Sequence, residues 1–166
     1  MSTQETSENK NNHLLEVQEK YRKPIKEIAD YLSCGLISYF NPETLEINSI
    51  PKGFLYDLEF EDEDEDEALD VNGEPLLKHL KWEKCITIEP LESFESFDIM
   101  ADFVESLPDS KYTVFLINAL NGRKPFANFK HQINQSIYRQ DWFDFQQVEL
   151  EKYVINNYFY EGSGLD

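Results

Sequence analysis

The chain has 166 residues, enough for one globular core without disulfide or metal staples, since a domain of that size buries about 70% of its unfolded surface. Its 33 acidic against 15 basic residues give a net charge of −18, which repels nucleic acid and anionic membranes over most of the surface. Two cysteines, Cys34 and Cys85, are too few for a disulfide framework, no apolar run reaches the ~18 residues of a membrane span, and the polar opening MSTQETSENKNN lacks the layout of a signal peptide. A cytoplasmic protein with reduced thiols and no membrane segment is expected.

The first dozen residues show no apolar period, so residues 1–12 are expected to form a disordered tail, with another at 161–166 and a single domain over 13–160. Leu14, Leu15 and Val17, then Ile25, Ile28, Ala29 and Leu32, predict a helix in two pieces, with Pro24 as the first helical residue of the second and Gly35 closing it. The runs 36–40 and 45–50 flank Asn41-Pro42-Glu43-Thr44, where Asn begins a turn and Pro presets φ, which predicts a hairpin. A block of like charges from Glu59 to Glu67 predicts a solvated, mobile acidic loop around 57–75. The β-branched run Lys84 to Ile88, ended by Pro90, predicts a third strand beside the hairpin.

Beyond Pro90 the periodicity turns helical. Phe94, Phe97, Met100, Ala101, Val104 and Leu107 predict one apolar face, with Ser93 as N-cap and Pro108 as stop. Tyr112, Phe115, Leu116, Ala119 and Leu120 predict a second, ended by Asn121-Gly122 as a left-handed cap. Phe126, Phe129, Ile133 and Ile137 predict a third helix opened by Pro125, and Asp141 starts a fourth carrying Trp142, Phe145, Val148, Tyr153 and Val154. The fold class expected is α+β: a small antiparallel sheet of about three strands packed against about five helices.

Four stretches resemble a bacterial family known as uncharacterised protein family 0158. They are Glu27-Ile28-Ala29 through Tyr39-Phe40-Asn41-Pro42-Glu43-Thr44-Leu45-Glu46; Met100-Ala101-Asp102-Phe103-Val104-Glu105; Gly122-Arg123-Lys124-Pro125-Phe126-Ala127-Asn128-Phe129-Lys130; and Trp142-Phe143-Asp144-Phe145. The resemblance spans Ile25 to Phe159, and its third and fourth stretches are the more specific. Two positions depart from it: Leu45 stands where Gly is expected after the Thr of the turn, and Pro125 precedes the first Phe where a small residue is commoner. The resemblance implies an architecture and no activity.

No enzyme chemistry is legible. His13, His79 and His131 lie in separate segments without metal-ligand spacing, and there is no nucleophile elbow, glycine-rich phosphate loop or dinucleotide fingerprint. No catalytic, metal or cofactor residues are expected, and an unrecognised hydrolase ranks below the other readings. The informative feature is a stretch between Ser110 and Gln140 that lacks any acidic residue and holds Lys111, Arg123, Lys124, Lys130 and Arg139.

In that stretch the cations alternate with Phe126, Phe129 and Tyr138, the pattern of single-stranded nucleic-acid grooves, while the three-and-four spacing of the same phenylalanines is equally that of a buried face. Gly122-Arg123-Lys124-Pro125 also opens a helix, whose N-terminus attracts anions. Of Trp142, Phe143 and Phe145, at least one must reach a rim, because one helix face cannot bury all three. The candidate binding residues are therefore Gly122, Arg123, Lys124, Lys130, Arg139 and Trp142. The function expected is a non-enzymatic interaction or regulatory module that meets an acidic protein partner, or the chain's own acidic loop, on this surface. Nucleic-acid or nucleotide binding on the same surface is the alternative, disfavoured by the net charge.

Overall fold

A computed structural model describes residues 19–52 and 85–160 of the chain. The expected tails at 1–12 and 161–166, the residues before Glu19 that were expected to be helical, the expected acidic loop around 57–75, His13 and His79 lie outside the described residues. In order, the elements are α1 (Glu19–Ser33), β1 (Leu36–Phe40), β2 (Ile47–Pro51), β3 (Ile86–Ile88), α2 (Ser93–Ser106), α3 (Lys111–Asn121), α4 (Pro125–Gln135) and α5 (Arg139–Tyr158). The fold is α+β, with five helices and a three-stranded antiparallel sheet among the described residues. The chain groups into two compact units. The first comprises Met1–Pro90 with Leu150–Asp166, and the second Leu91–Glu149.

The first unit is built on the hairpin. Asn41 Oδ1 accepts hydrogen bonds from the amides of Glu43 (2.9 Å) and Thr44 (3.3 Å), and the Leu45 amide donates to the Asn41 carbonyl at 2.8 Å. An Asn side chain that copies a backbone turn is why this sequence reverses direction here. Leu45 completes the reversal at φ 64°, in the left-handed region that costs an L-residue roughly 1–2 kcal/mol. That is the position where the family resemblance leads one to expect Gly, the residue that adopts such a φ without that cost.

β1 is the central strand, with β2 and β3 antiparallel on either side; Phe40 pairs with both Ile47 and Ile86. Its residues Ile37 to Phe40 are all buried. One of them, Ser38, sits in register with Ser49 and Ile88, and its Oγ has no hydrogen-bond partner among the described residues. Tyr21 of α1, Phe40 and Phe159 stack mutually with centroids 5.3–6.1 Å apart, joining the helix, the sheet and the end of α5. Just beyond β3, the Glu89 amide donates to the Tyr158 hydroxyl and the Glu89 carbonyl accepts from the Tyr153 hydroxyl, both at 3.3 Å. Two tyrosines of α5 thus satisfy backbone groups at the end of a three-residue edge strand.

α1 is one helix as far as it is described, and Pro24 lies inside it, not at its start. The proline is buried with Ile25, Ile28 and Ala29, so packing of this face offsets the hydrogen bond that a ring nitrogen cannot donate. Gly35 closes α1 at φ +74° as expected, with its amide on the Leu32 carbonyl at 2.9 Å.

The second unit is a helical assembly around Met100, Phe103, Val104, Leu116, Phe129, Ile133 and Trp142. α2 starts one residue earlier than the expected Ser93 cap: Glu92 is the cap, and Glu95 Oε2 accepts from its amide at 2.9 Å. Phe94, expected on the buried face, is 67% exposed, while Phe103, outside the expected stripe, is buried. Phe94 shares its line on the helix with Asp98 and Glu105, at offsets of four and eleven residues, and the core lies on the opposite side. α5 likewise begins at Arg139, so Asp141 falls within its first turn instead of capping it. Val148, expected inside, is exposed, and Leu150 is buried in its stead, within the first unit.

Candidate functional site

Three helices position the candidate residues. α3 is capped by Ser110, whose Oγ accepts from the Thr113 amide at 3.2 Å, and Thr113 Oγ1 donates to the Pro108 carbonyl at 2.7 Å. With Thr113, Leu116 and Ala119 turned inward, the opposite side of α3 carries Val114 and Ile117 into solvent. Phe115, expected in the buried stripe, is 51% exposed. A stripe drawn from hydrophobicity alone is wider than the face that α2 and α4 cover.

The link to α4 differs in handedness from the expected one. Gly122 is extended (φ −96°, ψ −170°), not left-handed, with its amide on the Ala119 carbonyl at 3.4 Å. A Cβ at Gly122 would lie 3.2 Å from the Asn118 carbonyl oxygen, so close approach to α3 is what this position asks of a glycine. The left-handed residue is instead Lys124, at φ 49°, ψ 58°. Asn128 holds the turn by donating Nδ2–H to the Arg123 carbonyl at 2.6 Å and its amide to the Lys124 carbonyl at 3.0 Å. Pro125 is the first helical residue and has no amide hydrogen. The N-terminus of α4 is therefore poorer in free donors than the sequence implied, with only the amides of Phe126 and Ala127 between Pro125 and the first amide bonded back along the helix.

On α4 the aromatic stripe splits. Phe129 is 2% exposed and Ile133 is buried, whereas Phe126 is 43% exposed and Ile137, past the helix end, is exposed as well. Phe126 and Lys130 are four residues apart and so share one flank of α4. On α5, Trp142 is buried at 7% exposure: its ring meets Phe129 at 4.9 Å and Phe103 at 5.3 Å, both edge to face. Of the candidate residues it alone belongs to the core. Phe143 is the rim aromatic of that cluster. It is exposed, and the Arg139 guanidinium lies over its ring at 4.8 Å while Arg139 Nε donates to Asn134 Oδ1 at 3.3 Å.

The cations Lys111, Arg123, Lys124, Lys130 and Arg139 are all exposed, and none has a carboxylate partner among the described residues. The structure thus joins Arg123, Lys124, Phe126 and Lys130 around one helix start, and Arg139 with Phe143 at the start of the next. Elsewhere, His131 Nε2 lies 3.1 Å from Gln135 Nε2, its one hydrogen-bond partner among the described residues. Burial, with the Glu46 carboxylate adding to it, pushes the Cys85 thiol up, which disfavours the nucleophilic thiolate. Cys34 is exposed. Among the described residues no three His, Cys, Asp or Glu side chains converge as a metal site, and no helix is long and apolar enough to cross a membrane.

Sequence reading missed Val114 and Ile117 as surface residues, while the exposed Phe143 meets the expectation that at least one of Trp142, Phe143 and Phe145 reaches a rim. The available signal for the first two was their offset from Thr113, Leu116 and Ala119, which only becomes decisive once the inward side of α3 is known.

The fold and this surface define an α+β protein with a basic, aromatic-edged helical face. The chain belongs to an uncharacterised protein family, UPF0158, whose family model matches residues 47–160. Three of the four stretches that carry the resemblance fall within that match, and the Glu27 to Glu46 stretch precedes it. UPF0158 protein PA5073 of Pseudomonas aeruginosa is 32% identical over 91 residues, which cover 54% of this chain and 59% of that protein. The match thus spans about three fifths of the length of that relative. No solved structure matches the chain.

Proposed function

We propose that the protein is a non-enzymatic, cytoplasmic interaction or regulatory module that uses the surface around the α3–α4 turn and the start of α5 to hold an acidic partner. The observation that carries this reading is the exposure of Arg123, Lys124, Lys130 and Arg139 without carboxylate partners among the described residues, interleaved with the exposed rings of Phe126 and Phe143. Unpaired cations beside apolar rings supply both steering and desolvated contact area, which is how charged interfaces gain on-rate and specificity. Gly122 shapes the turn, and Trp142 supports the face from beneath.

A second reading rests on the Arg139–Phe143 stack. An exposed ring under a guanidinium is also a platform for a nucleobase, worth about 1–3 kcal/mol per stacked base. The two readings part in one titration. A fluorescent amphipathic peptide of Glu and Leu, and separately oligo-dT, are titrated with the full chain and with the Arg123→Glu, Lys124→Glu, Lys130→Glu triple variant. The expected result is peptide binding that the triple variant loses, with oligo-dT inert. Oligo-dT binding that falls steeply with salt and vanishes in the triple variant establishes the second reading. Equal behaviour of variant and parent toward both probes removes the surface from consideration.

A further inference from the structure

The second unit carries both signs of charge, segregated by helix. Of its nine acidic and five basic residues, every acidic one lies in 92–109 or 141–149 and none in the α3–α4 stretch. On α2, Asp98, Asp102 and Glu105 follow one another at spacings of four and three and are all exposed. They form one solvent-facing stripe, opposite the buried Met100, Phe103 and Val104. Phe94, the most exposed ring of this helix, continues that stripe toward its N-terminus.

The α3–α4 turn is its counterpart, with cations where α2 has carboxylates. Ile117 is exposed one turn before the end of α3, Arg123 and Lys124 follow in the link, and Phe126 and Lys130 lie on one flank of α4. The stripe of α2 from Phe94 to Glu105, eleven residues on, spans about 16 Å by the helical rise, and α3 and α4, at 11 residues each, are about 16 Å long, so the two surfaces match in length.

We infer that the partner of the α3–α4 basic face is a second copy of this chain, which presents the acidic, Phe94-bearing stripe of α2 to it in a head-to-tail contact. The inference rests on the interaction reading above and names its partner. Charge selects the arrangement. A two-fold contact of the basic face would bring Arg123, Lys124 and Lys130 against their own copies, and a two-fold contact of the α2 stripe would do the same with carboxylates. Only the heterologous contact converts both repulsions into attraction. Within α2 the neighbouring carboxylates also repel one another, and opposed cations relieve that as well. Distant acidic residues of the two chains oppose association weakly, because screening reduces their reach to about 8–10 Å at physiological salt.

Sedimentation velocity of the full chain over a concentration series tests this, together with two charge-reversed variants checked for native circular dichroism. One carries Asp98→Lys, Asp102→Lys and Glu105→Lys, the other Arg123→Glu, Lys124→Glu and Lys130→Glu. The parent is expected to grow in mass with concentration, and to do so less as salt is raised toward about 1 M, where the screening length is about 3 Å. Each variant alone is expected to remain a monomer, because its two surfaces then carry the same sign, and an equimolar mixture of the two to associate, because the intact basic face of one meets the intact acidic stripe of the other and the two reversed surfaces are complementary as well.

A parent that stays monomeric, a variant that still self-associates alone, or a mixture that fails to pair overturns the inference. A monomeric parent whose acidic-peptide binding is nevertheless lost in the Arg123, Lys124, Lys130 variant overturns the self-association alone and leaves the interaction reading standing. Loss of both together removes both.

Discussion

Phe126 and Phe129 are three residues apart on one helix, yet truncating them to Ala should have very different costs. Phe129 is 2% exposed, packed with Leu116 and Ile133, and its ring meets Trp142 edge to face at 4.9 Å. Removing it forfeits the transfer term for a full aromatic side chain, leaves a cavity in a closed cluster, and deletes an aromatic pair worth about 0.5–1.5 kcal/mol. Together these predict a loss of about 3–5 kcal/mol for Phe129→Ala. Phe126, 43% exposed, has no cavity to leave, so Phe126→Ala should cost about 1 kcal/mol or less. The assay is urea unfolding followed by fluorescence in a Trp82→Phe background, which makes Trp142, in contact with Phe129, the sole tryptophan reporter. The midpoint should move with an unchanged slope. Equal costs, or a Phe126→Ala loss above about 2 kcal/mol, would refute the division of this stripe into a core and a surface part.

Three further outcomes are expected. Lys124→Gly should raise stability by about 0.5–1 kcal/mol by relieving the left-handed φ of 49°, while Gly35→Ala, at φ +74° with open space around its Cβ, should lower it by about 1 kcal/mol; opposite shifts in thermal midpoint check the pair. Ser38→Ala should stabilise the first unit by about 1 kcal/mol in chemical unfolding, because it removes a buried hydroxyl that has no partner among the described residues. On the alkaline side, Cys85, Tyr39 and Tyr31 all sit above their ordinary values through burial first. Glu46 adds to the first and Glu89 to the second, and a hydrogen bond to Glu27 to the third. The folded chain then keeps protons that the unfolded chain has released. Stability contributed below the ordinary ranges is lost as pH rises from about 8.5 through 10 and beyond, and Tyr39→Phe should flatten that loss in a midpoint-versus-pH series.

Where local chemistry decides, the linear sequence was sufficient. Asn41 and Pro42 reverse the chain through bonds within four residues, Gly35 ends α1 because its φ is positive, and the apolar spacing of Ile25, Ile28, Ala29 and Leu32 needs no partner to be recognised as one side of a helix. The acid-free stretch from Ser110 to Gln140 is likewise a property of composition, and the cations in it are exposed because charged groups stay hydrated.

Tertiary structure decided everything that depends on how wide a helix face its neighbours cover. Phe94, Phe115, Phe126 and Val148 fit an apolar period as well as Met100, Leu116, Phe129 and Leu150 do, and only packing separates the exposed set from the buried one. The same holds for Trp142, whose neighbours in space, Phe103 and Phe129, are 39 and 13 residues away in the chain. The left-handed turn belongs to Lys124 rather than Gly122, and the Asn121-Gly122 pair gave no sign of this, because the same two residues serve an extended helix end as readily as a left-handed one.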